Sequence, residues 1–275
     1  MAISRHQLVK ELEPGLNALF GLEYNRYDNQ HAEIYTSENS DRAFEEEVML
    51  SGFGNASVKN EGSGVAFDNA QESFSARYTH ETMALAFAIT EEAIEDNLYD
   101  KISSRYTKAL ARSMSNAKQV KAVAPLNNGL PSVDGFDSGD GVSLFNTSHT
   151  TVSGISVKNT LTTQADLNET SLEQAMIDIA AMTDERGLRI AAKAVKMIVP
   201  SANQFAAERL MKSQGRVGTA DNDINALGSM GMIPQGYRVN NFLTDTDSFY
   251  VRYKARERYS FGVSDYRGIF GVEGA

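Results

Sequence analysis

The sequence predicts an α+β protein strung on one very long helix, and three observations predict it. From Thr90 to Ala124 apolar residues recur every three or four positions with no glycine or proline among them, the period of one helix face. From Phe44 to Ile89 the period falls to two, as it does in half-buried strands. Beyond residue 127, short helical and strand patterns alternate between glycine-rich stretches, which is how a mixed lobe reads.

Taken in order, residues 1–43 read as an arm. Pro14 and Gly15 break a short amphipathic pattern, and Glu23 to Asp41 is polar and aperiodic, anchored only by Tyr24, Tyr27, Ile34 and Tyr35. Such a segment has too little apolar surface to fold on its own. It is either a disordered terminus or one that orders by lying across another subunit. Residues 44–82 read as an extended two-stranded loop. Its strands are marked by Val65 and Phe67 and by Phe74, Ala76 and Tyr78, its tip by the turn-rich SGFGNASVKNEGSG with four glycines. A lone hairpin is marginal in water, so these strands need a partner. No GK[ST] or GxGxxG opens a helix here, which argues against a phosphate loop.

Met83, Leu85, Phe87 and Ile89 continue the alternation into the long helix, whose stripe runs Ile94, Leu98, Ile102, Tyr106, Ala109, Leu110, Met114, Ala117 and Val120. Thr90 is placed to cap it, acidic residues crowd its first turns, and basic residues follow, the order the helix dipole favours. With Pro125 as its stop, the helix would be about 50 Å long. Residues 127–165 are too rich in glycine, serine and threonine for a core and mark a boundary. A helix follows to Gly187, with Thr170 and Glu173 as a capping box; then a strand at 195–200, a helix capped by Ser201 and Gln204, and strands at 237–243, 249–258 and 259–261.

Composition narrows the function. The 275 residues suffice for a substantial core. No run approaches the roughly 18 apolar residues of a membrane span, and the first residues lack the apolar core and cleavage site of a secretory signal. Zero cysteines exclude disulfides, thiolate metal sites and a cysteine nucleophile. The net charge is −10, and residues 1–100 hold 19 Asp and Glu against 6 Lys and Arg, so the remainder is slightly basic. Free nucleic-acid binding wants a basic surface, which this chain lacks. An acidic segment that meets a more basic one in a neighbouring copy accounts for the split.

Catalytic patterns are missing. His6, His31, His80 and His149 stand far apart in no metal-ligand spacing. Ser148 beside His149 lacks a GxSxG turn and a placed acid. Glu45, Glu46 and Glu47 are adjacent, which on a strand puts alternate members on opposite faces, a poor geometry for paired carboxylates. No catalytic, cofactor or metal site is expected. The informative constellation is RYKARERYSF. As a strand it sets Arg252, Lys254, Arg256 and Arg258 on one face, four cations that need anions from solvent, phosphate or a neighbouring acidic segment.

The order of parts, arm, extended loop, long helix, mixed lobe and returning strands, resembles the major capsid protein fold of tailed bacteriophages. Long stretches resemble more closely the Mu-like branch of phage and prophage head proteins: EEEVMLSGFGNA from Glu45, ARYTHETMALAFAITEEAIEDNLYD from Ala76, RYTKALARSM from Arg105, ADLNETSLEQAMIDIAAMTDERGL from Ala165, RVGTADNDINAL from Arg216, and RYKARERYSFGVSDYRGIFG from Arg252. The resemblance covers nearly the whole chain. It implies an arm at 1–43, an extended loop at 44–82, a peripheral domain with its spine helix at 83–125, an axial domain at 126–244, and C-terminal strands at 245–275 that return to the peripheral domain.

Function, by the same resemblance, is assembly. Copies of the chain would form the hexamers and pentamers of an icosahedral head around double-stranded DNA, in the virion, built in the host cytoplasm. The implied partners are other copies, a portal protein, DNA contacted non-specifically and, since the arm is short, a separate scaffolding protein; no cofactor and no membrane are implied. Glu45, Glu46, Glu47, Lys59, Arg252, Lys254, Arg256 and Arg258 are the candidate interface residues. Some members of the wider fold weld their shells with Lys to Asn bonds; Lys59 and Asn60 lie near the loop tip, but the surrounding match does not carry that chemistry to them. Relatives generally insert residues where Tyr250 here runs into Val251. An encapsulin-like bacterial compartment is the alternative reading.

Overall fold

The structure, a computed structural model, describes residues 17–87, 99–130, 136–216, 223–243 and 255–272. In chain order the elements are β1 (Phe44–Leu50), β2 (Glu72–Thr79), β3 (Glu81–Leu85), α1 (Tyr99–Asn127), β4 (His149–Thr150), β5 (Ser156–Val157), α2 (Glu169–Ala181), β6 (Met197–Pro200), α3 (Gln204–Lys212), α4 (Ala226–Ser229), β7 (Tyr237–Asn240) and β8 (Ala255–Tyr259). The strands pair as β1–β2, β3–β8, β4–β5 and β6–β7. The chain divides into two units, each made of three separate stretches.

The described residues of the first unit fall within Met1–Asp41, Thr79–Val123 and Asp245–Phe261. Its frame is α1 together with the antiparallel pair β3–β8, in register from Glu81 opposite Tyr259 to Leu85 opposite Ala255. The buried face of α1 is not the apolar stripe read from the sequence. Leu110, Ala111, Met114, Ala122 and Val123 are buried, but so are Ser103, Thr107, Ser115 and Gln119, whereas Tyr106 and Val120 are about half exposed. Thr107 spends its hydroxyl on the Ser103 carbonyl at 2.8 Å, and Gln119 meets the segment at residues 28–31. Gln119 accepts a hydrogen bond from the His31 N–H at 3.0 Å and donates to the Asp28 carbonyl at 3.3 Å, so a polar side chain holds the turn at Gln30–Glu33 against the helix. His80, between β2 and β3, bonds Ser40 Oγ through Nε2 at 3.0 Å and Ser260 Oγ through Nδ1 at 2.9 Å. Lys121 pairs with Glu81.

The helix start expected at Thr90 lies outside the described residues. Its end departs from expectation, because Pro125 sits inside the last turn and α1 runs to Asn127. A proline this close to the end forfeits only one backbone bond, and the turn still closes through Asn128 N to the Ala124 carbonyl at 2.9 Å.

The described residues of the second unit fall within Arg42–Tyr78, Ala124–Thr244 and Gly262–Ala275. One buried cluster joins Leu144, Phe145, Val157, Met182 and Tyr266, with Phe74 and Leu126 packed on it; a second joins Leu172, Met176, Leu227 and Ile233. Helix α2 gives Leu172 and Met176 to the second and packs Ile179 on both, and its cap differs from the one expected. Asn168 Oδ1 accepts the Ser171 N–H at 2.8 Å and Ser171 Oγ accepts the Asn168 N–H at 3.0 Å, a reciprocal box set two residues earlier than Thr170 and Glu173. Nor does α2 reach Gly187. It ends at Ala181, and Gly187, at φ +85°, closes a separate turn through its N–H to Asp184, a backbone conformation that favours glycine. Strands β6 and β7 run parallel, Met197 opposite Tyr237 through Pro200 opposite Asn240. A 3-10 turn at Ser201–Asn203 leads into α3, without the side-chain cap expected of Ser201.

Candidate assembly interface

The β1–β2 pair carries a loop that is exposed along most of its length. Its strands are tied at the base, where Ser51 N donates to the Gln71 carbonyl at 2.9 Å and Gln71 N donates to Ser51 Oγ at 3.0 Å. Between them, residues 51–71 form an irregular loop, not the strand expected at Val65 and Phe67. The loop is fixed at one point: Asp68 accepts the Gly54 N–H at 2.7 Å on Oδ2 and the Arg186 guanidinium at 2.7 Å on Oδ1. Those two donors, Gly54 first, hold the Asp68 carboxyl below the usual range.

Past that point the loop exposes what a solitary protein hides. Phe67 is 97% exposed, Val58 91%, and Leu50, Phe53 and Val65 between 62% and 67%. Large apolar side chains strung along one loop mark a surface that meets something else. Glycine and asparagine around them conceal this in the sequence, because no period links them to a core. Lys59 is exposed in the same stretch and has no partner among the described residues.

The acidic residues of β1 have partners within the chain. Glu45 lies 4.0 Å from Arg42, Glu46 3.7 Å from Arg77, and Glu47 accepts from the Tyr78 hydroxyl at 3.5 Å. All are long, exposed contacts of the kind that contribute little. In the other unit, the register places Arg256 opposite Ala84 and Arg258 opposite Thr82, two alternate positions on one face of the β3–β8 pair, with Glu257 opposite Met83 on the other. Arg252 and Lys254 lie outside the described residues. The structure thus puts Glu45, Glu46, Glu47 and Lys59 in one unit, and Arg256 and Arg258 in the other.

A buried polar knot supports the second unit, and sequence reasoning missed it. His149 is fully buried; its Nδ1 meets Asp140 Oδ2 at 2.6 Å, its Nε2 meets Asn159 Oδ1 at 3.1 Å, and its ring stacks on Tyr266 with centroids 3.8 Å apart. Burial alone would raise the Asp140 carboxyl, but hydrogen bonds from His149, Ser138 and the Val142 N–H outweigh it and leave the group below its ordinary value. Burial pushes the Tyr266 phenol well up. Ser148 bonds Ser156 instead. An acid does meet His149, Asp140 on Nδ1, but Nε2, the nitrogen that would serve a serine, is taken by Asn159, so Ser148 and His149 form no catalytic pair in this arrangement. Nearby, buried Glu185 takes Ser73 Oγ–H at 3.2 Å and Val152 N–H at 3.0 Å on Oε2 and faces Arg267 Nη2 at 3.2 Å from Oε1, which ties the start of β2 to the C-terminal residues.

A family model described as phage capsid protein matches residues 73–272, nearly three quarters of the sequence. The chain belongs to the phage capsid protein family. Three solved structures are similar to this capsid protein. The procapsid of bacteriophage JBD30, computed in I4 symmetry, matches at TM-score 0.59 and 14% identity over 88% of this chain and 100% of that one. The JBD30 capsid decorated with minor capsid protein trimers matches at 0.59 and 11%, over 79% and 92%. The bacteriophage JBD30 capsid matches at 0.56 and 11%, over the same shares. No curated protein matches. At these identities the likeness shows the fold, that of tailed-phage major capsid proteins. In this capsid protein the exposed loop falls outside the matched family stretch, since only β2 from Ser73 onward lies within it.

Proposed function

We propose that this capsid protein self-assembles into the hexamers and pentamers of the icosahedral head of a tailed phage or prophage of Mu-like type. The head encloses double-stranded DNA and is built in the host cytoplasm with a separate scaffolding protein and a portal protein. Its role is structural, not enzymatic. Residues 1–43 act as the arm, 44–82 as the extended loop, 83–125 as the peripheral domain with its spine, 126–244 as the axial domain and 245–275 as the returning strands. The observation that carries this reading is the β1–β2 loop, whose exposed Phe53, Val58, Val65 and Phe67 gain their burial only against another copy. At about 25 cal/mol per Å², covering several such side chains supplies several kcal/mol per contact.

In the shell, the acidic β1 residues of one subunit exchange their weak partners in the same chain for Arg252, Lys254, Arg256 and Arg258 of the next, with Lys59 carried at the loop tip. Electron microscopy of the purified protein, expressed with and without its neighbouring genes, tests the assembly reading: closed shells or capsomer rings are expected, and uniform monomers or dimers under both conditions would refute it. Shells filled with a cargo enzyme instead of DNA would favour an encapsulin-like compartment, which the phage capsid comparisons do not favour. Charge reversal at Arg256 and Arg258 that leaves assembly intact would refute the electrostatic part.

A further inference from the structure

Resting on the assembly reading, we propose that a cleft at the base of the β1–β2 loop receives a lysine or arginine side chain from a second copy of this chain. The cleft measures about 240 Å³ and is walled by Leu50, Ser51 and Gly52 at the end of β1, by Asp184, Glu185 and Ile190 beside α2, and by Asp265 and Arg267 near the C-terminus. That volume is below the usual range for small-molecule pockets and suits one side chain.

Its charge selects the occupant. Three carboxylates face one guanidinium across the lining. Asp184 spends Oδ1 on the Arg186 and Leu188 N–H groups at 2.9 and 2.8 Å, and Asp265 spends Oδ1 on Arg267 N and Nε at 3.0 and 2.9 Å. Among the described residues neither Oδ2 has a partner. Both carboxylates are therefore oriented by the backbone and still have an oxygen to offer. Glu185 adds a second, independent sign: it is 2% exposed, and its Oε1, though 3.2 Å from Arg267 Nη2, receives no hydrogen bond. The ion pair with Arg267 compensates its charge but leaves that oxygen able to accept a hydrogen bond from a further donor.

Among the described residues no group of three His, Asp or Glu is gathered to hold a metal ion, and the apolar flank of the cleft points to another kind of donor. It is a cation on an apolar stem. Leu50 at 66% and Ile190 at 42% exposure flank the carboxylates, and an aliphatic stem lying on them while its charged head reaches the acids is the manner in which lysine and arginine bury themselves. Leu50 continues directly into the exposed loop that the assembly reading covers with a neighbour, so a second copy is the source.

The chain contains zero cysteines, so Ile190→Cys can carry a single benzophenone maleimide. A minority of such labelled chains co-assembled with 15N-labelled wild type, irradiated and analysed by peptide mass spectrometry, is expected to give adducts to a 15N segment with a lysine or arginine at or beside the attachment, in particles and not in free subunits. Particles that yield only same-chain adducts, or adducts distant from any basic residue, would overturn the proposal. As a second measurement, Asp184→Asn keeps the Oδ1 acceptor of the turn and removes the charge. It should leave subunit unfolding unchanged, raise the threshold concentration for particle formation about tenfold and reduce its dependence on salt. A threshold within about twofold of wild type would overturn the proposal. Wild-type protein that forms no particles under any condition would overturn the assembly reading and this proposal with it.

Discussion

Asn159 gives the sharpest test of what holds the second unit together. Its side chain is fully buried and makes four hydrogen bonds: Oδ1 accepts from Asn146 N at 2.9 Å and meets His149 Nε2 at 3.1 Å, and Nδ2 donates to the carbonyls of Leu144 at 2.7 Å and Tyr266 at 3.1 Å. One amide thereby ties the 144–146 segment, β4 and the C-terminal turn. Asn159→Leu removes all four bonds and leaves several buried polar groups without partners. A buried group left unsatisfied costs about 1–3 kcal/mol, and some of these groups relax toward water, so the loss is expected at about 3–5 kcal/mol. For a chain of this size that lowers the melting temperature by about 10 °C. The assay is urea and thermal unfolding of unassembled subunits, read together with amide exchange at Asn146 and at Gly271, whose N–H bonds the Asn159 carbonyl at 3.0 Å. With two units the transition need not be two-state, so the local exchange rates decide. A loss below about 1 kcal/mol, with protection at Asn146 intact, would refute the view that this knot is the unit's main fastening.

Three further outcomes follow from the same contacts. Gln119→Leu removes both bonds that hold Asp28 and His31, so it should cost about 1–3 kcal/mol and make residues 25–43 the first site of limited proteolysis; an unchanged digestion pattern would count against it. Asp140, depressed by its donors despite burial, stabilises the fold fully above the unfolded carboxyl value of about 3.9 and ceases to do so as pH falls through its lower folded value. Asp140→Asn should therefore destabilise at neutral pH and flatten the acid limb below about pH 4, as followed by circular dichroism. Phe67→Ser with Val58→Ser should leave subunit stability within about 0.5 kcal/mol, since both side chains face solvent, yet reduce particle yield in sedimentation; particles at wild-type yield would remove the loop from the interface.

The sequence revealed what depends on period and hid what depends on individual side chains. The long helix was legible because an apolar repeat with no glycine or proline has few other readings, and the strands at Met197–Pro200 and Tyr237–Asn240 were legible because short runs between turn residues are. The buried face of α1 was not, because Ser103, Thr107, Ser115 and Gln119 are polar, and nothing local says that a segment nearly ninety residues earlier supplies the partners of Gln119 or that Thr107 turns its hydroxyl to the Ser103 carbonyl. The knot was hidden likewise: Asp140, His149, Asn159 and Tyr266 converge only in three dimensions, from a stretch whose glycines and serines read as a boundary. Val65 and Phe67 alternated as a strand would, yet they stand in solvent, since alternation reports a face and not what covers it. Of the candidate interface residues, the shared face of Arg256 and Arg258 in the β3–β8 register followed from strand period alone.

The two kinds of hidden feature have opposite physical purposes, and a shell subunit needs both. Inside each unit, polar side chains with directional bonds fix a local arrangement: Gln119 holds Asp28 and His31 on α1 in one, and Asn159 holds the C-terminal turn in the other. Outside, Leu50, Phe53, Val58 and Phe67 are exposed in a segment flanked by Glu45, Glu46 and Glu47. An apolar string alone would promote indiscriminate association as soon as the chain folded. Clustered negative charge opposes contact between two identical loops, because like charges repel across a young contact, while leaving contact with a basic strand attractive. The acidic partners within the chain are exposed and long, 3.5 to 4.0 Å, so exchanging them for a neighbour's cations forfeits little. In the proposed assembly Glu45, Glu46 and Glu47 would choose which surface the loop meets, and the apolar residues would hold it there. Raising salt should thus slow correct assembly and favour amorphous aggregation; salt that leaves both unaffected, measured by light scattering and microscopy, would show that the charges have no part in the choice.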